Sequence, residues 1–363
     1  MLTLTKAALH GTVPDENLFV DSNDAKWKEL FELSAAQGVM VLSLNGAMRL
    51  PKALQPQHSV KFRWVASVEA VEKRYQHCLK TAKELSACFK ENNIQMLLFK
   101  GIALSRLYPA PSSREFGDID IFLCGKAKEG DALLERITGI KSPSPKKHSH
   151  FSYKKILIEN HHTFLSQNSS VSFQDSKNLE KQLLKILTEA GMMDAESTQR
   201  DETLLFPPPD FDALFVTLHT LSHFPFGIVL RQLCDLTVLF TTYEGKIDFS
   251  LYRNTLSKAG LLKLADILIS LSIKYLDLNT EYIPQYESDL SLENRIWNDM
   301  LNPEIPPLPK EKRTIFNTLI FRIKSFRSRY WKSELVFPNQ YGKRIFSSTV
   351  NYLRNPGIIG NLF

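Results

Sequence analysis

The chain has 363 residues, of which 43% are hydrophobic, and it carries a formal net charge of +6 at pH 7. Length and composition indicate a globular chain of two or three domains, and four scattered cysteines without a C-x-x-C pair exclude a disulfide framework and a zinc knuckle. The N-terminus lacks a signal-peptide pattern and the most apolar run, Leu261–Leu276, is too short and too charged to span a bilayer, so we expect a cytoplasmic protein without a transmembrane segment.

Helical periodicity dominates the first part of the chain. Apolar residues recur at helical spacing within Ala25–Leu50, and a long amphipathic run then ends at Asn92 and Asn93, which together form a typical helix stop. We therefore predict a helical N-terminal region over residues 1–92.

The pattern then changes to alternating strands and helices, which predicts an α/β core over residues 93–178. In chain order we predict a short buried strand at Ile94–Phe99, a helix from Gly101, a strand at Phe116–Cys124, a helix at Lys126–Thr138, and one bent strand or a pair of strands within Phe151–Leu165. With helical patterns on both sides, the expected class is α+β, a small mixed sheet between two helical regions.

Helical periodicity returns over residues 179–309, which we predict to form a helical domain. The clearest start signal in this part is Asp210, which stands where its side chain can cap a helix.

The last segment, residues 310–363, is basic and rich in aromatic residues. Between Lys310 and Arg354 it has eleven Lys and Arg residues but two Glu. Such a segment suits contact with a nucleic acid or an anionic membrane surface. Helical periodicity alone accounts for the aromatic stripe, so the favoured interpretation is a basic helix that packs this stripe on the body of the protein.

Two aspartates, Asp118 and Asp120, occupy alternate positions of the second strand and therefore point to the same face, opposite to Ile119 and Ile121. Carboxylates this close repel each other and shift each other's pKa unless a positive charge lies between them. We therefore predict that a divalent metal ion binds at this face.

Two further features fit this aspartate pair. Gly101 follows a strand and opens a helix, so its backbone can approach a ligand while neighbouring N–H groups face an anion. Glu159 shares a strand face with His161 and could lie beside the aspartates on a neighbouring strand. Three oxygen ligands suit Mg²⁺ or Mn²⁺, and a pair of such ions promotes in-line attack on a phosphoryl group.

These residues carry a resemblance to a known family. The motifs are Lys100-Gly101, Arg114 followed by Gly117-Asp118-Ile119-Asp120, and Glu159-Asn160-His161. They resemble the nucleotidyltransferase superfamily that includes DNA polymerase beta, and more closely its group of uncharacterised bacterial nucleotidyltransferases. Weaker family-like features lie at Trp27, Ala35–Val39, His219, Arg231 and Asp235. The resemblance covers about Asn23 to Leu278 and leaves the basic segment outside.

The resemblance implies a transferase that moves an NMP from an NTP, expected to be ATP, to a hydroxyl-bearing acceptor with release of pyrophosphate. The implied metal-binding and catalytic residues are Asp118, Asp120 and Glu159, of which Glu159 binds the second ion or accepts the proton of the attacking hydroxyl. The implied nucleotide-binding residues are Lys100, Gly101, Ser105, Arg114 and Gly117. The residues implied to contact substrate or support the site are His161, His219, Arg231 and Asp235.

One position departs from the superfamily pattern. Ile102 stands where a small residue, Ser or Gly, usually follows the glycine, so phosphate contacts must come from the backbone, Lys100, Ser105 or Arg114. This departure leaves open the alternative that the chain binds a nucleotide without transferring it. Two further alternatives are an RNA-binding protein that uses the basic segment, and a metal-dependent phosphohydrolase. The sequence does not identify the acceptor, which could be a small molecule, a protein or an RNA. It also does not determine the oligomeric state.

The histidines allow a second interpretation. A zinc site could be drawn from His148, His150, His161 and His162, but no cysteine accompanies them and the nearby acids favour harder ions, so this interpretation is not the favoured one. His219 and His223 share a helix face without the acid of a zinc-protease motif, and are expected to be packed helical histidines. The four-residue spacing of Arg231 and Asp235 predicts an ion pair within one helix.

Overall fold

The computed structural model describes residues 1–142, 147–165, 173–193, 204–281, 283, 285–302, 315–340 and 342. The helices among these residues are α1 (Leu2–His10), α2 (Asp24–Ala36), α3 (Met40–Ala47), α4 (His58–Glu91), α5 (Gly101–Ser105), α6 (Ala127–Thr138), α7 (Ser176–Glu189), α8 (Pro209–His223), α9 (Leu230–Thr242), α10 (Phe249–Lys258), α11 (Leu262–Leu276), α12 (Leu290–Leu301) and α13 (Ile315–Val336). The strands are β1 (Leu97–Phe99), β2 (Asp118–Phe122), β3 (His148–Tyr153) and β4 (Ile156–His161). This confirms the α+β class. Among the described helices, none is both long enough and apolar enough to span a membrane.

The four strands form one mixed sheet in the order β1-β2-β4-β3. β2 pairs with β1 antiparallel and with β4 parallel, while β3 and β4 form an antiparallel hairpin. The segment predicted to form one bent strand or a pair of strands therefore forms a pair. Lys154 and Lys155 join the two strands, and both residues have positive φ. Parallel register sets Asp120 directly opposite Glu159, so one face of the sheet carries both acids.

Each face of the sheet packs against a different group of helices. On the face without the acids, Ile119, Ile121 and Ile158 are buried in one apolar cluster with Leu85 and Phe89 of α4 and with Leu133 and Leu134 of α6. On the acidic face, aromatic rings join the sheet to α8; they are Phe99, Phe122, Phe164, Phe211 and Phe215. The carboxylates therefore lie beside a rigid aromatic layer.

The first and third helices approach so closely that a glycine is required at their contact. A Cβ at Gly46 in α3 would lie 2.0 Å from the carbonyl oxygen of Leu4 in α1. The two backbones could not keep this separation with any larger residue.

We expect Gly46→Ala to lower the free energy of unfolding by about 2 kcal/mol, because α1 must move away to admit the methyl group. The measurement is the urea midpoint. Gly342→Ala is the matched control, since no atom of the described part of the chain lies within 4 Å of a Cβ there. Equal midpoints for both variants would contradict the prediction.

Part of the basic C-terminal segment packs on the body of the protein. The ring of Trp331 in α13 lies edge-on to Phe224 with their centroids 5.8 Å apart, and Lys332 Nζ lies 2.7 Å from Asp299 Oδ2. Val336 and Phe337 are buried in the main core cluster. This is the contact that the packing interpretation expects. Residues 303–314, 341 and 343–363 of this region lie outside the described residues.

Candidate active site

Three carboxylates converge at the centre of the sheet. Asp118 and Asp120 point to one face of β2, and the parallel neighbour β4 brings Glu159 beside them. One oxygen of each carboxylate lies within 4.8 Å of the others. The alternation of a strand and the parallel pairing are thus sufficient to assemble an oxygen-only set that could hold a divalent ion.

Asp120 is the most enclosed of the three, with 3% of its surface exposed. Its Oδ1 accepts a hydrogen bond from Lys100 Nζ at 2.6 Å and lies 2.9 Å from His161 Nε2. Burial alone would raise the pKa of Asp120, but the Lys100 ammonium and the His161 contact outweigh it and hold the pKa below its usual range. Asp120 is therefore an ionised carboxylate at any pH near neutrality.

Lys100 and Gly101 form a strained junction between β1 and α5. Lys100 has φ 55° and ψ −120°, a conformation that costs a non-glycine residue about 1–3 kcal/mol and is found mostly at functional sites. A Cβ at Gly101 would lie 3.1 Å from the Phe116 ring and 3.3 Å from the carbonyl oxygen of Asp118. The glycine thus lets the start of α5 approach the start of β2.

Asp118 differs from its neighbour because none of the described residues places a cation at contact distance from its carboxylate. Burial, followed by repulsion from Asp120 and Glu159, raises the pKa of Asp118 to about 6. The set therefore holds a proton below that pH, and a metal ion must displace it.

The affinity for Mg²⁺ is expected to fall about tenfold for each pH unit below pH 6 and to level off above pH 7, because protonation of Asp118 competes with the ion. Calorimetric titration of Mg²⁺ across this range measures the effect. Asp118→Asn should bind Mg²⁺ more weakly and with a much flatter pH profile. An affinity that stays constant in the wild-type chain from pH 5 to pH 7 would contradict the prediction.

Glu159 is surrounded by imidazole rings. His150 Nε2 and His148 Nε2 lie 3.2 Å and 3.7 Å from its Oε1, and His161 Nε2 lies 3.5 Å from its Oε2. Burial and the charge of Asp120 would raise the pKa of Glu159, yet the contact with His161 and the charge of Lys100 lower it. Burial lowers the pKa of His148 to about 4, so this ring is neutral. Three of the four histidines that the sequence set aside as a zinc cluster thus lie at the acidic set, while His162 Nε2 lies 2.8 Å from Asp131 Oδ2.

Arg114 does not occupy the position expected from the sequence. Its guanidinium is buried and makes a bidentate pair with Asp235 at 2.7 and 2.9 Å, and Tyr108 donates a third hydrogen bond to this carboxylate. The expected Arg231–Asp235 pair within α9 is wrong: Arg231 donates to the carbonyl oxygen of Glu115 at 2.6 Å instead. Arg114 therefore fixes the segment before β2 onto α9, and its role in nucleotide binding stays a prediction.

Ser105 also requires correction as a nucleotide contact. Its side chain is fully buried and its hydroxyl donates to the carbonyl oxygen of Ile102 at 2.8 Å, one turn earlier in α5. The hydroxyl is satisfied inside the helix and cannot reach a phosphate.

Two basic groups near the acids add to Lys100. Burial, and then the nearby Lys100, lower the pKa of Lys147 to about 8; Asp120 and Glu159 act in the opposite direction. Burial and Lys100 lower the pKa of His219, whose ring stacks on Phe215 with centroids 5.9 Å apart. His219 was among the residues singled out from the sequence. Lys147 was missed because it ends a loop of Ser, Pro and Lys residues that gives no positional signal.

A cleft of about 460 Å³ opens at the start of β2. The residues that line it are Ala35, Ala36, Gly38, Arg74, Glu115, Phe116, Gly117, Val229 and Arg231. Gly117 immediately precedes Asp118, and its carbonyl oxygen accepts from Arg74 Nη2 at 2.5 Å. The cleft therefore adjoins the backbone just before Asp118, while the three carboxylates are not among its lining residues.

The comparison with known proteins gives one match. A family model described as uncharacterised nucleotidyltransferase matches residues 23–277, which is more than half of the chain. No curated protein and no solved structure matches the chain. The family match confirms the resemblance drawn from the motifs, and the acids Asp118, Asp120 and Glu159 lie within it.

Proposed function

We propose that the chain moves an NMP from an NTP to a hydroxyl group and releases pyrophosphate, because it belongs to the uncharacterised nucleotidyltransferase family, whose members are transferase enzymes. The observation that carries this proposal is the convergence of three carboxylates within 4.8 Å beside Lys100, a half-buried lysine. ATP is the proposed donor, and Mg²⁺ or Mn²⁺ the proposed cofactor.

The residues present fit a divalent ion of this kind. The donors are oxygens alone, which is the ligand type that Mg²⁺ prefers. Asp118 is held at a raised pKa by burial and by its acidic neighbours, and a cation between the carboxylates would relieve that repulsion. When bound, such ions neutralise phosphate charge and orient the reacting oxygens.

The remaining steps are assigned to side chains of this chain. Lys100 is proposed to neutralise charge that develops on the phosphates, as a point charge already fixed beside Asp120. Glu159 is proposed to accept the proton of the attacking hydroxyl, with His161 orienting it from 3.5 Å. Lys147 supplies a second ammonium on the same side.

The cleft beside Asp118 is the proposed acceptor site. Its volume of about 460 Å³ is in the range that suits a small-molecule ligand. Arg74 and Arg231 on its walls are anchored to the backbone of Gly117 and Glu115, so the walls are held in place. A hydroxyl-bearing small molecule is therefore the acceptor we favour over a protein or an RNA.

A second candidate is a nucleotide-binding protein without transfer activity. Ile102 supports it, since this side chain is 4% exposed and packs in the core instead of offering a polar group to phosphate. This candidate predicts nucleotide binding without pyrophosphate release.

The test measures thermal stabilisation by ATP, GTP, CTP and UTP with and without Mg²⁺, followed by product analysis with the stabilising nucleotide. We expect a rise in melting temperature that needs Mg²⁺, that is lost in Asp118→Asn, and that persists in the control Asp277→Asn at the surface pair with Lys6. Transfer of the α-phosphate with pyrophosphate release supports the proposal. Release of inorganic phosphate, or stabilisation unchanged in Asp118→Asn, would overturn it.

A further inference from the structure

We propose that His148, Glu159 and His161 form a second metal position, which contains nitrogen ligands and takes a borderline transition ion such as Zn²⁺ or Co²⁺. Glu159 then belongs to two sets at once, the oxygen-only set with the aspartates and this mixed set. The inference depends on the proposed function in one respect, the ion assigned to the oxygen-only set. Metal binding at the mixed set can be measured without any nucleotide.

The geometry of the β3–β4 hairpin brings the three ligands together. His148 is the direct partner of His161 in the antiparallel register, and Glu159 lies two residues before His161 on the same face. One ligand atom from each lies within 4.8 Å of the others. Ligand atoms about 2.1 Å from a tetrahedral ion lie about 3.4 Å apart, so side-chain rotations are sufficient to close the set.

His161 gives the strongest sign that a cation belongs here. Its Nδ1 faces the carbonyl oxygen of Thr163 at 3.4 Å, and its Nε2 faces carboxylate oxygens of Asp120 and Glu159 at 2.9 and 3.5 Å. All these partners are acceptors, whereas a neutral imidazole has one N–H. Because the ring is fully buried, water cannot relieve the mismatch. An ion between Nε2 and the acids would give each of these groups a partner, with the Nδ1–H directed at the carbonyl oxygen of Thr163.

His148 is arranged so that binding would break few contacts. Its Nδ1 is buried and has no hydrogen-bond partner among the residues that the structure describes. The ring is held by packing, with its centroid 4.6 Å from that of His150 and 4.8 Å from that of His161. An ion could therefore recruit His148 without costing an established hydrogen bond.

The chemistry of the donors separates the two positions. Imidazole nitrogens suit Zn²⁺ and Co²⁺ far better than Mg²⁺, whereas the carboxylates of Asp118 and Asp120 suit Mg²⁺ or Mn²⁺. His150 also approaches Glu159, but more than half of its side chain is exposed, and we assign it to the outside of the mixed set.

The test uses the full chain, stripped with a chelator and titrated with Co²⁺ in excess Mg²⁺, while visible absorption and heat are recorded. We expect Co²⁺ to bind despite the Mg²⁺ and to release protons. His148→Gln should weaken Co²⁺ binding at least tenfold, while His77→Gln, an exposed histidine that contacts the carbonyl oxygen of Lys154, should leave it unchanged.

Two outcomes would overturn the inference: complete displacement of Co²⁺ by Mg²⁺, or unchanged Co²⁺ binding in His148→Gln. If that variant fails to fold, X-ray absorption of the wild-type chain loaded with Zn²⁺ identifies the ligands. Two imidazole nitrogens in the coordination shell would support the mixed set, and an all-oxygen shell would refute it. Co²⁺ binding in a chain that binds no nucleotide would support the second position and contradict the proposed function alone. Nucleotidyl transfer without Co²⁺ binding would do the reverse.

Discussion

Asp120→Asn is expected to lower the rate of nucleotidyl transfer about 10³-fold, which corresponds to about 4 kcal/mol of transition-state stabilisation. Asp120 is the carboxylate on which the site converges, since Lys100, His161 and the other two acids all face it. An amide of the same shape offers one weak oxygen ligand and presents N–H donors to groups that need an acceptor. The measurement is pyrophosphate release with the nucleotide that the binding test identifies.

The same substitution should change stability far less than it changes rate. Lys100 loses its partner, which is destabilising, but Asp118 and Glu159 are relieved of a like charge, which offsets the loss. The control is Asp277→Asn, a surface variant for which both rate and melting temperature should match the wild-type chain. A transfer rate within tenfold of wild type in Asp120→Asn would show that the carboxylate is not part of the reacting centre.

A further consequence concerns the remaining acid. Because Asp120 is the largest electrostatic cause of the raised pKa of Asp118, its neutralisation should bring that pKa down from about 6 toward its ordinary value. The residual Mg²⁺ binding of Asp120→Asn should then depend on pH at lower values than in the wild-type chain. This links the rate prediction to the pH dependence of metal binding.

The local parts of the site could be predicted from the sequence because they follow from short-range periodicity. The alternation of a strand is enough to place Asp118 and Asp120 on one face, and the same rule places Glu159 with His161. The parallel pairing of β2 with β4, which sets Asp120 opposite Glu159, needed the assumption that the strands are neighbours. The family motifs support this assumption but do not prove the register.

The long-range partners could not be predicted in this way. Asp235 lies four residues from Arg231 in a helix, so spacing favours that pair, yet the structure gives it to Arg114, 121 residues away. A bidentate guanidinium in a buried position outweighs an exposed helical pair, but its position depends on how α9 packs against the segment before β2. Lys147 was missed for a similar reason, since its proximity to the acids depends on tertiary packing.

The start of α8 was also not predicted correctly from local sequence preferences. Asp210 was expected to cap α8, but the helix begins after Pro208 with Pro209 in its first turn, and Asp210 lies inside it. Its Oδ1 accepts instead from the backbone N–H of Asp248 at 2.7 Å, which joins α8 to the start of α10. The fixed φ of proline suits the first helical position, so the proline pair sets the start and the aspartate serves a tertiary contact.

We expect that breaking the buried ion pair between Arg114 and Asp235 lowers the free energy of unfolding more than most other single substitutions would. Arg114→Met should lower the free energy of unfolding by about 3–5 kcal/mol, because Asp235 is left as a buried charge whose other partner is the Tyr108 hydroxyl. Asp235→Leu should cost a similar amount. The double variant should cost less than the sum by at least about 2 kcal/mol, since it leaves neither charge unpaired.

Urea unfolding of the four proteins measures this cycle, and nucleotide binding of the same proteins separates structure from recognition. If Arg114 acts through Asp235, the double variant should recover nucleotide affinity along with stability, because the segment before β2 is again held on α9. A variant Arg114→Met that is as stable as wild type but binds nucleotide poorly would return Arg114 to the nucleotide-binding role expected from its motif. Arg114→Lys sharpens the distinction, since a lysine keeps the positive charge for a phosphate but loses the two parallel hydrogen bonds to Asp235.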